Sequence, residues 1–252
     1  MKCRICTLIF LFSGILFQNA KAQKGDMSIH LDLGYGFPSG SESIISHQNG
    51  TYSESPFSFG TGSNIALAGS YMLSDHLGVG LDLNEMIGRS FNLVTEYVNN
   101  FTQTSTSAYS GNLFAVTPDL ILSANADKIN FYGRFGVVVG LPSVTVKTTW
   151  SGQFVQPGTN IDLYTGGVAI GVYAAFGVQY PITDHLKLSA ELFDRDLTYR
   201  PTTYKNTQAF DGASKTADRT LSTSGGSQTD LTTPMTFGSI GLKIGISYSL
   251  MH

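Results

Sequence analysis

Large apolar residues occur at every second position along most of the chain after residue 27. In the first such stretch, Ile29, Leu31 and Leu33 alternate with His30 and Asp32. Because successive side chains of a β-strand point to opposite faces, a period of two predicts strands. Eight segments show this pattern, at about 29–37, 65–73, 77–83, 112–123, 131–141, 168–180, 186–192 and 240–250. The sequence therefore predicts an all-β chain whose strands are about ten residues long, the length that crosses a bilayer when tilted.

The connections between these segments alternate between short and long. Short turns lie at 74–76, 124–128 and 183–185, and long connections lie at about 38–63, 89–110, 142–163 and 200–234. The last long connection is rich in Ser, Thr and Gly, which indicates a solvated, mobile loop. An up-and-down order of strands collects the short turns and both termini at one end and the long loops at the other. Outer-membrane barrels have this layout, with short periplasmic turns and long extracellular loops.

The second face of the segments carries small residues. Gly, Ala and Ser occupy most of its positions, namely Gly34, Gly36, Ala66, Ala68, Ser70, Gly78, Gly80, Gly171, Gly177, Ser189, Gly241, Gly245 and Ser247. A soluble β-sandwich or lipocalin-like barrel would turn this face to water and carry many Lys and Glu residues on it. Small residues instead suit the crowded interior of a narrow barrel whose large apolar residues face lipid. Since no strand edge can stay unpaired in hydrocarbon, the sequence predicts a closed up-and-down antiparallel transmembrane β-barrel of eight strands.

Pro118 does not fit a regular strand of such a barrel. It lies within the fourth segment, and a closed barrel has no free edge for a residue without an N–H group. We expect either a β-bulge at this position or a strand shorter than 112–123.

Residues 1–22 have the features of a secretory signal peptide. Two cations precede an apolar run at 5–17, and small residues at 20 and 22 occupy the positions that a signal peptidase inspects. The run is shorter than the ~20 apolar residues that a transmembrane helix needs. We therefore expect a cleaved signal peptide at 1–22, export to the outer membrane of a two-membrane bacterium, and a barrel domain at 23–252.

Removal of this segment changes the charge and the cysteine content. Cys3 and Cys6, the two cysteines of the chain, both lie in it, so we expect a product without disulfides. Neither cysteine follows the apolar run, where a lipid would be attached. The net charge of −3 becomes more negative, and no Lys/Arg cluster is present, which argues against a nucleic-acid partner.

Two of the short turns are similar to each other, YMLSDHL at 71–77 and YPITDHL at 180–186. A repeated hairpin explains this similarity, and so does independent selection of Ser/Thr-Asp at turns. Together with the strand pattern over 27–250, these features resemble the family of small outer-membrane proteins with a single β-barrel domain, broadly OmpA/OmpX/OmpW-like. The resemblance implies two partners, outer-membrane lipid and the barrel-assembly machinery. In this family, that machinery recognises an aromatic final strand. Tyr248 supplies an aromatic residue in that strand, although the terminal Phe of typical members is missing.

The alternation of side chains between the two faces of each strand places seven ionisable residues on the small-residue face, inside the barrel. They are Asp32, Asp82, Asp119, Arg134, Lys187, Glu191 and Lys243. The interior of an eight-stranded barrel is only wide enough for side chains to fill it, so charges buried there must pair. Lys243 lies on the strand between those of Asp32 and Glu191. Asp119 similarly faces Arg134 on the next strand.

These inward charges support two functions. If they form ion pairs that fill the lumen, the barrel is a structural anchor that displays four long loops to an extracellular partner. If they line an open path, the protein is a narrow channel or transporter for small solutes. We favour the plugged lumen because eight strands leave little free bore.

The residues do not predict an enzyme. Among the histidines of the mature chain, only His47 lies in a long outer loop, and its neighbour Ser46 does not form a catalytic pair by adjacency in sequence. His, Cys and carboxylate residues do not have metal-ligand spacing. The G-x-G strings lie within strands and do not open helices, so they are not nucleotide loops. We expect no catalytic, cofactor or metal site.

Overall fold

The computed structural model describes residues 24–39, 43–48, 51–98, 102–126, 128–152, 155–210, 213–220 and 234–250. The expected signal peptide lies outside these residues, so its cleavage and the domain boundary after residue 22 stay predictions. The described residues contain no helix with the length and hydropathy of a membrane span.

The described residues form fifteen β-strands. In chain order they are β1 (Met27–Pro38), β2 (Ser43–Gln48), β3 (Thr51–Pro56), β4 (Gly62–Met72), β5 (Leu77–Gly88), β6 (Phe91–Val98), β7 (Thr102–Ala126), β8 (Ile129–Gly152), β9 (Val155–Thr165), β10 (Ala169–Pro181), β11 (Leu186–Tyr199), β12 (Thr203–Phe210), β13 (Ala213–Thr220), β14 (Met235–Thr236) and β15 (Ser239–Ser249).

Eight of these strands close into a ring. Each pairs antiparallel with its neighbours in the order β1, β4, β5, β7, β8, β10, β11 and β15, and β15 pairs again with β1. At the closure, Leu31 pairs with Ile246 on one side and with Leu67 on the other. The order around the ring is the order along the chain, as in an up-and-down meander. The predicted fold class, a closed antiparallel barrel of eight strands, is confirmed.

The outer face of the ring is apolar and the inner face is buried. Ile170, Val172 and Ile244 on the outside are 65%, 63% and 68% exposed, and large apolar side chains are exposed on all eight ring strands. Isolated apolar patches are ordinary on soluble proteins, whereas a belt that surrounds the molecule is not. Because the closed ring also pairs its backbone groups, this surface suits the hydrocarbon core of a membrane.

Two ring strands are much longer than predicted. β7 has 25 residues and β8 has 24, and the two pair along almost their whole length. At about 3.3 Å per residue, such a strand extends about 80 Å, more than twice the ~30 Å of the hydrocarbon core. The expectation of about ten residues per strand is therefore wrong for this hairpin, which continues beyond the barrel.

The long hairpin organises a sheet outside the barrel. β9, β12 and β13 add successively to the β8 side, and β6, β2 and β3 add to the β7 side. We call this assembly, with the outer halves of β7 and β8, the outer sheet. Its strands occupy described parts of the connections expected as loops at 38–63, 89–110 and 142–163, and they include 203–210 and 213–220 of the connection expected to be a mobile loop. Residues 221–233 of that last connection lie outside the described residues. Thr, Val and Tyr favour strands, and strand pairing satisfies the backbone of these polar stretches.

Neither a bulge nor a shortened strand accommodates Pro118. Val116 pairs with Val139 and Asp119 pairs with Gly136 in the same register, and only the two residues between them leave the β7–β8 ladder. Pro118 itself pairs with Leu81 of β5. Both expectations for this position are wrong, because the ladder tolerates a short interruption where the N–H group is missing.

Candidate functional site in the barrel lumen

Three layers follow one another along the inside of the barrel. A polar cavity, the vestibule, opens at the end with the short turns. Ionised side chains, the charge layer, fill the middle of the lumen. Aromatic and aliphatic side chains, the aromatic plug, fill the end that carries the outer sheet.

Arg134 on β8 is the centre of the charge layer. Its Nη2 atom lies 2.5 Å from Asp119 Oδ2 and 3.3 Å from Asp82 Oδ2, and its Nη1 atom lies 3.3 Å from Glu191 Oε2. All four side chains are almost fully buried. One guanidinium therefore joins β5, β7 and β11 to β8 across the lumen.

Lys243 on β15 completes the charge layer. Its Nζ atom lies 3.5 Å from Asp82 Oδ2 and 3.5 Å from Glu191 Oε1, and it donates a hydrogen bond of 2.9 Å to the hydroxyl of Tyr173. The Tyr173 hydroxyl in turn donates to Glu191 Oε1 at 2.5 Å. Buried charges are costly unless they are paired and hydrogen-bonded, and this network supplies both for Lys243 and Glu191.

Two of the seven predicted lumen residues lie outside this network. Lys187 lies in the vestibule, where its Nζ atom is 3.5 Å from Asp26 Oδ2. Asp32 is buried on the inner face and accepts a hydrogen bond of 3.2 Å from Ser189. Among the described residues Asp32 has no ion pair, so the expected contact with Lys243 is not seen. Lys243 instead reaches across the narrow lumen to Asp82.

Arg195 is a lumen residue that the strand pattern did not predict. Arg195 is 3% exposed, and it donates to Asn84 Oδ1 at 3.0 Å, to Asn64 Oδ1 at 3.4 Å and to Ser239 Oγ at 3.3 Å. The signal was present, because Arg195 continues the inward phase of Glu191 beyond residue 192, where the predicted strand ended.

The aromatic plug is a second feature that the strand pattern did not predict. Phe57 and Phe59, from the connection between β3 and β4, and Phe237, from the connection between β14 and β15, are buried together. The rings of Phe59 and Phe237 are 5.7 Å apart, and Phe237 also makes an edge contact with Tyr199 at 6.0 Å. Beneath them lie the fully buried inward side chains Met86, Leu113, Val138 and Leu197.

Backbone hydrogen bonds hold the plug in the barrel mouth. The amide of Phe59 donates to the carbonyl of Thr236 at 3.1 Å, and the amide of Phe237 donates to the carbonyl of Leu197 on β11 at 2.9 Å. Both segments belong to connections that are otherwise polar. Three phenylalanines in polar loops are the sequence signal that could have identified the plug.

The vestibule is a polar cavity of about 290 Å³. Ser28, His30, Asn130 and Gln179 are among its lining residues, and it extends inward as far as Arg134. Asn130 links Ser123 and Gln179 through hydrogen bonds of 2.8 and 3.3 Å. The cavity therefore enters the lumen from the end with the short turns and reaches the charge layer.

Inward glycines make room for the large lumen side chains. A Cβ atom on Gly177 would lie 2.3 Å from Cζ of Tyr132, and one on Gly241 would lie 2.6 Å from Cζ of Phe193. Tyr132 and Phe193 lie on the strands next to these glycines. Small residues on the inner face thus reflect close packing in the lumen.

The closed ring, its apolar outer belt and its filled lumen define a transmembrane β-barrel of the small outer-membrane type. No family model and no curated protein matches the sequence. Among the described residues, no group of three or more His, Cys, Asp or Glu side chains is arranged to hold a metal ion.

Solved structures of outer-membrane proteins are similar in fold. OprG from Pseudomonas aeruginosa is 12% identical, with 93% of this chain and 99% of that chain covered and a TM-score of 0.46. A major outer membrane protein from Thermus thermophilus is 12% identical, with 89% of this chain and 99% of that chain covered and a TM-score of 0.47. Ail, the attachment invasion locus protein of Yersinia pestis, is 13% identical, with 90% of this chain and 99% of that chain covered and a TM-score of 0.35.

Proposed function

We propose that this protein is a plugged outer-membrane barrel that anchors the outer sheet at the cell surface. The observation that carries the proposal is the filling of the lumen by two layers in series, the charge layer and the aromatic plug. A solute on this path would have to displace fully buried side chains such as Leu113 and Phe237 and also separate the buried pairs of Arg134. Leaving one buried charge without its partner costs about 3–5 kcal/mol. The lumen is therefore closed at rest.

The proposal also covers the export, the membrane insertion and the orientation of the protein. The signal peptide at 1–22 exports the protein, the barrel-assembly machinery inserts it into outer-membrane lipid, and the outer sheet faces the surroundings of the cell. The barrel is an anchor without catalytic activity, and its partner binds outside the membrane.

A narrow channel for small solutes is the second candidate function. The vestibule favours it, because this cavity already carries polar groups such as His30 and Asn130 from one end of the barrel to Arg134. A channel would need a movement of both the charge layer and the plug.

Sided thiol labelling tests the closed lumen. Because the mature chain is expected to have no cysteine, an introduced cysteine is unique. Ser70→Cys lies in the vestibule, and Ala115→Cys lies in the plug cluster at a position that is 1% exposed. In vesicles, a membrane-impermeant maleimide should label Ser70→Cys from the side of the short turns and leave Ala115→Cys unlabelled from both sides. Labelling of both cysteines at similar rates would overturn the closed lumen.

The same reagent tests the orientation in intact cells. Lys205→Cys is exposed on the outer sheet, and Asp75→Cys is exposed in the turn between β4 and β5. We expect Lys205→Cys to react in intact cells and Asp75→Cys to react only after the outer membrane is permeabilised. The opposite pattern would contradict surface display.

A further inference from the structure

One face of the outer sheet combines aromatic rings with amide and carboxylate side chains. Its residues lie on the side of the outer sheet that continues the lumen-facing side of β8. They are Trp150 on β8, Asn160, Asp162 and Tyr164 on β9, and Tyr204 and Asn206 on β12. We call these six side chains the polar-aromatic face. Each of them is partly exposed, so none is a core residue.

Asp162 orders the polar part of this face. Its Oδ1 atom accepts hydrogen bonds from the hydroxyl of Tyr204 at 2.7 Å and from the amide of Asn206 at 2.5 Å. Its Oδ2 atom accepts a hydrogen bond of 2.9 Å from Asn160, whose own Oδ1 accepts one from Asn206 at 2.6 Å. Four side chains from two strands therefore have set orientations before any ligand arrives, which reduces the entropy cost of binding.

The aromatic part lies beside this network. The rings of Tyr164 and Tyr204 are 5.1 Å apart on paired strands. Partial burial and the hydrogen bond to Asp162 raise the pKa of Tyr204 to about 12, so its hydroxyl stays a donor at neutral pH. Tyr164 also packs against the buried cluster of the plug. The face thus begins at the closed mouth of the barrel and extends outward to Trp150.

The chemistry of the face selects a class of ligand. Aromatic rings offer rigid apolar surface at low entropy cost, and Asn and Asp side chains offer donors and acceptors in a plane. A neutral oligosaccharide presents the complementary surfaces, since sugar rings have apolar C–H faces and a rim of hydroxyl groups. Asp162 is the ionic side chain among these six, and its carboxylate lies at the centre of the network, where its negative charge disfavours sulfated or phosphorylated ligands. On the neighbouring β13, Arg219 pairs with Tyr204 and Lys215 pairs with Gln208. These two basic residues therefore border the face at its β13 edge.

We propose that the polar-aromatic face binds neutral oligosaccharide outside the cell. This inference rests on the proposed display of the outer sheet at the surface. Tyr164 and Tyr204 stack against sugar rings, and Asp162 with the amides of Asn160 and Asn206 binds ring hydroxyl groups.

Binding to immobilised glycans tests the proposal. The refolded protein in detergent micelles is applied to an array of neutral oligosaccharides of hexoses and N-acetylhexosamines, with sulfated versions of the same chains as charge controls. We expect retention on neutral chains and weaker retention on their sulfated versions. The fluorescence of Trp150, the single tryptophan of the chain, should change on addition of the retained oligosaccharide in solution.

Variants identify the face that binds. Tyr164→Ala and Asn206→Ala should each weaken binding about tenfold, as expected for central residues of an interface. Lys205→Ala, next to Tyr204 on the opposite side of β12, should bind as the unchanged protein does. Every protein used must show the heat-dependent gel shift of a folded barrel.

Three results would overturn the inference: no neutral chain retained, sulfated chains preferred, or equal losses in Tyr164→Ala and Lys205→Ala. The glycan array tests the polar-aromatic face and a conductance measurement tests the plugged lumen, so either proposal can be contradicted without the other. A silent barrel that retains no glycan leaves the plugged anchor in place, and a conducting barrel that retains glycan leaves the binding face in place.

Discussion

The guanidinium of Arg134 and the carboxylate of Asp119 lie 2.5 Å apart on adjacent strands, at the point where Pro118 interrupts the ladder between them. Gly136 faces Asp119 here, and a Cβ atom at this glycine would lie 2.7 Å from the carbonyl oxygen of Pro118. The absence of a side chain at residue 136 lets the two strands approach closely. Among the described residues of the ring, the ion pair therefore lies beside the position where the missing N–H group of a proline is least compatible with a closed barrel.

Removing the positive charge at the centre of the charge layer should destabilise the barrel. Arg134→Met leaves three buried carboxylates without their guanidinium, so we expect the free energy of unfolding to fall by about 3–5 kcal/mol. Adding Asp119→Asn to this variant should recover part of the loss, because one of the uncompensated charges is gone. Urea unfolding in vesicles measures each variant. If the losses in free energy of unfolding from Arg134→Met alone and Asp119→Asn alone add up to the loss in the double variant, Arg134 and Asp119 are not coupled.

Lys243→Met separates stability from permeability. The variant loses the ion pairs to Asp82 and Glu191, so its free energy of unfolding should fall, whereas the aromatic plug stays in place. We expect easier unfolding in urea and unchanged conductance. Lys205→Met, exposed on the outer sheet, is the control and should unfold like the unchanged protein. Increased conductance of Lys243→Met without loss of stability would count against the plug.

A pair of glycine variants tests the close packing of the lumen. Gly177→Ala places a methyl group against the ring of Tyr132, and such overpacking typically costs about 1–3 kcal/mol. Gly69→Ala is the matched control, since a Cβ atom there has no neighbour within 4 Å. We expect Gly177→Ala to lower the urea midpoint and Gly69→Ala to leave it unchanged or raise it. Equal midpoints would mean that the lumen near Tyr132 is loosely packed.

Truncation of the plug should open the outer mouth without opening the whole lumen. Phe237→Ala removes a fully buried ring, a change that costs about 3–5 kcal/mol in protein cores. In this background, the impermeant maleimide should label Ala115→Cys from the side of the outer sheet. Conductance should stay absent because the charge layer remains. A plug variant that resists labelling would place the barrier elsewhere.

The ring of the barrel could be predicted because burial and lipid contact impose a strict period of two. Leu31, Leu67 and Ile246 show this period, and Leu31 pairs with each of the other two in the structure. The same phase identified Arg134 and Glu191 as inward residues. Strand adjacency also predicted Glu191 as a partner of Lys243, and the two side chains form an ion pair. It did not predict Asp82, since a lumen this narrow permits contacts across the ring that adjacency of strands does not indicate.

Other features depend on contacts that local patterns do not encode. Phe57 and Phe237 lie far apart in the sequence and are part of one buried cluster in the barrel mouth. β12 and β13 have polar residues on both faces, so no alternation of polarity distinguishes these two strands from loops. The pattern did not predict Arg195 as an inward residue because the predicted strand ended at residue 192, although the phase of that strand was correct.

Conductance of the refolded mature protein in a planar bilayer tests the plugged lumen most directly. Only protein whose gel band shifts on boiling is used. Its insertion is verified by recovering the protein from the bilayer-forming vesicles. Silence from inserted protein is the result that the filled lumen predicts. Steady, reproducible channel openings would contradict it and would make the inward charges around Arg134 the lining of a solute path.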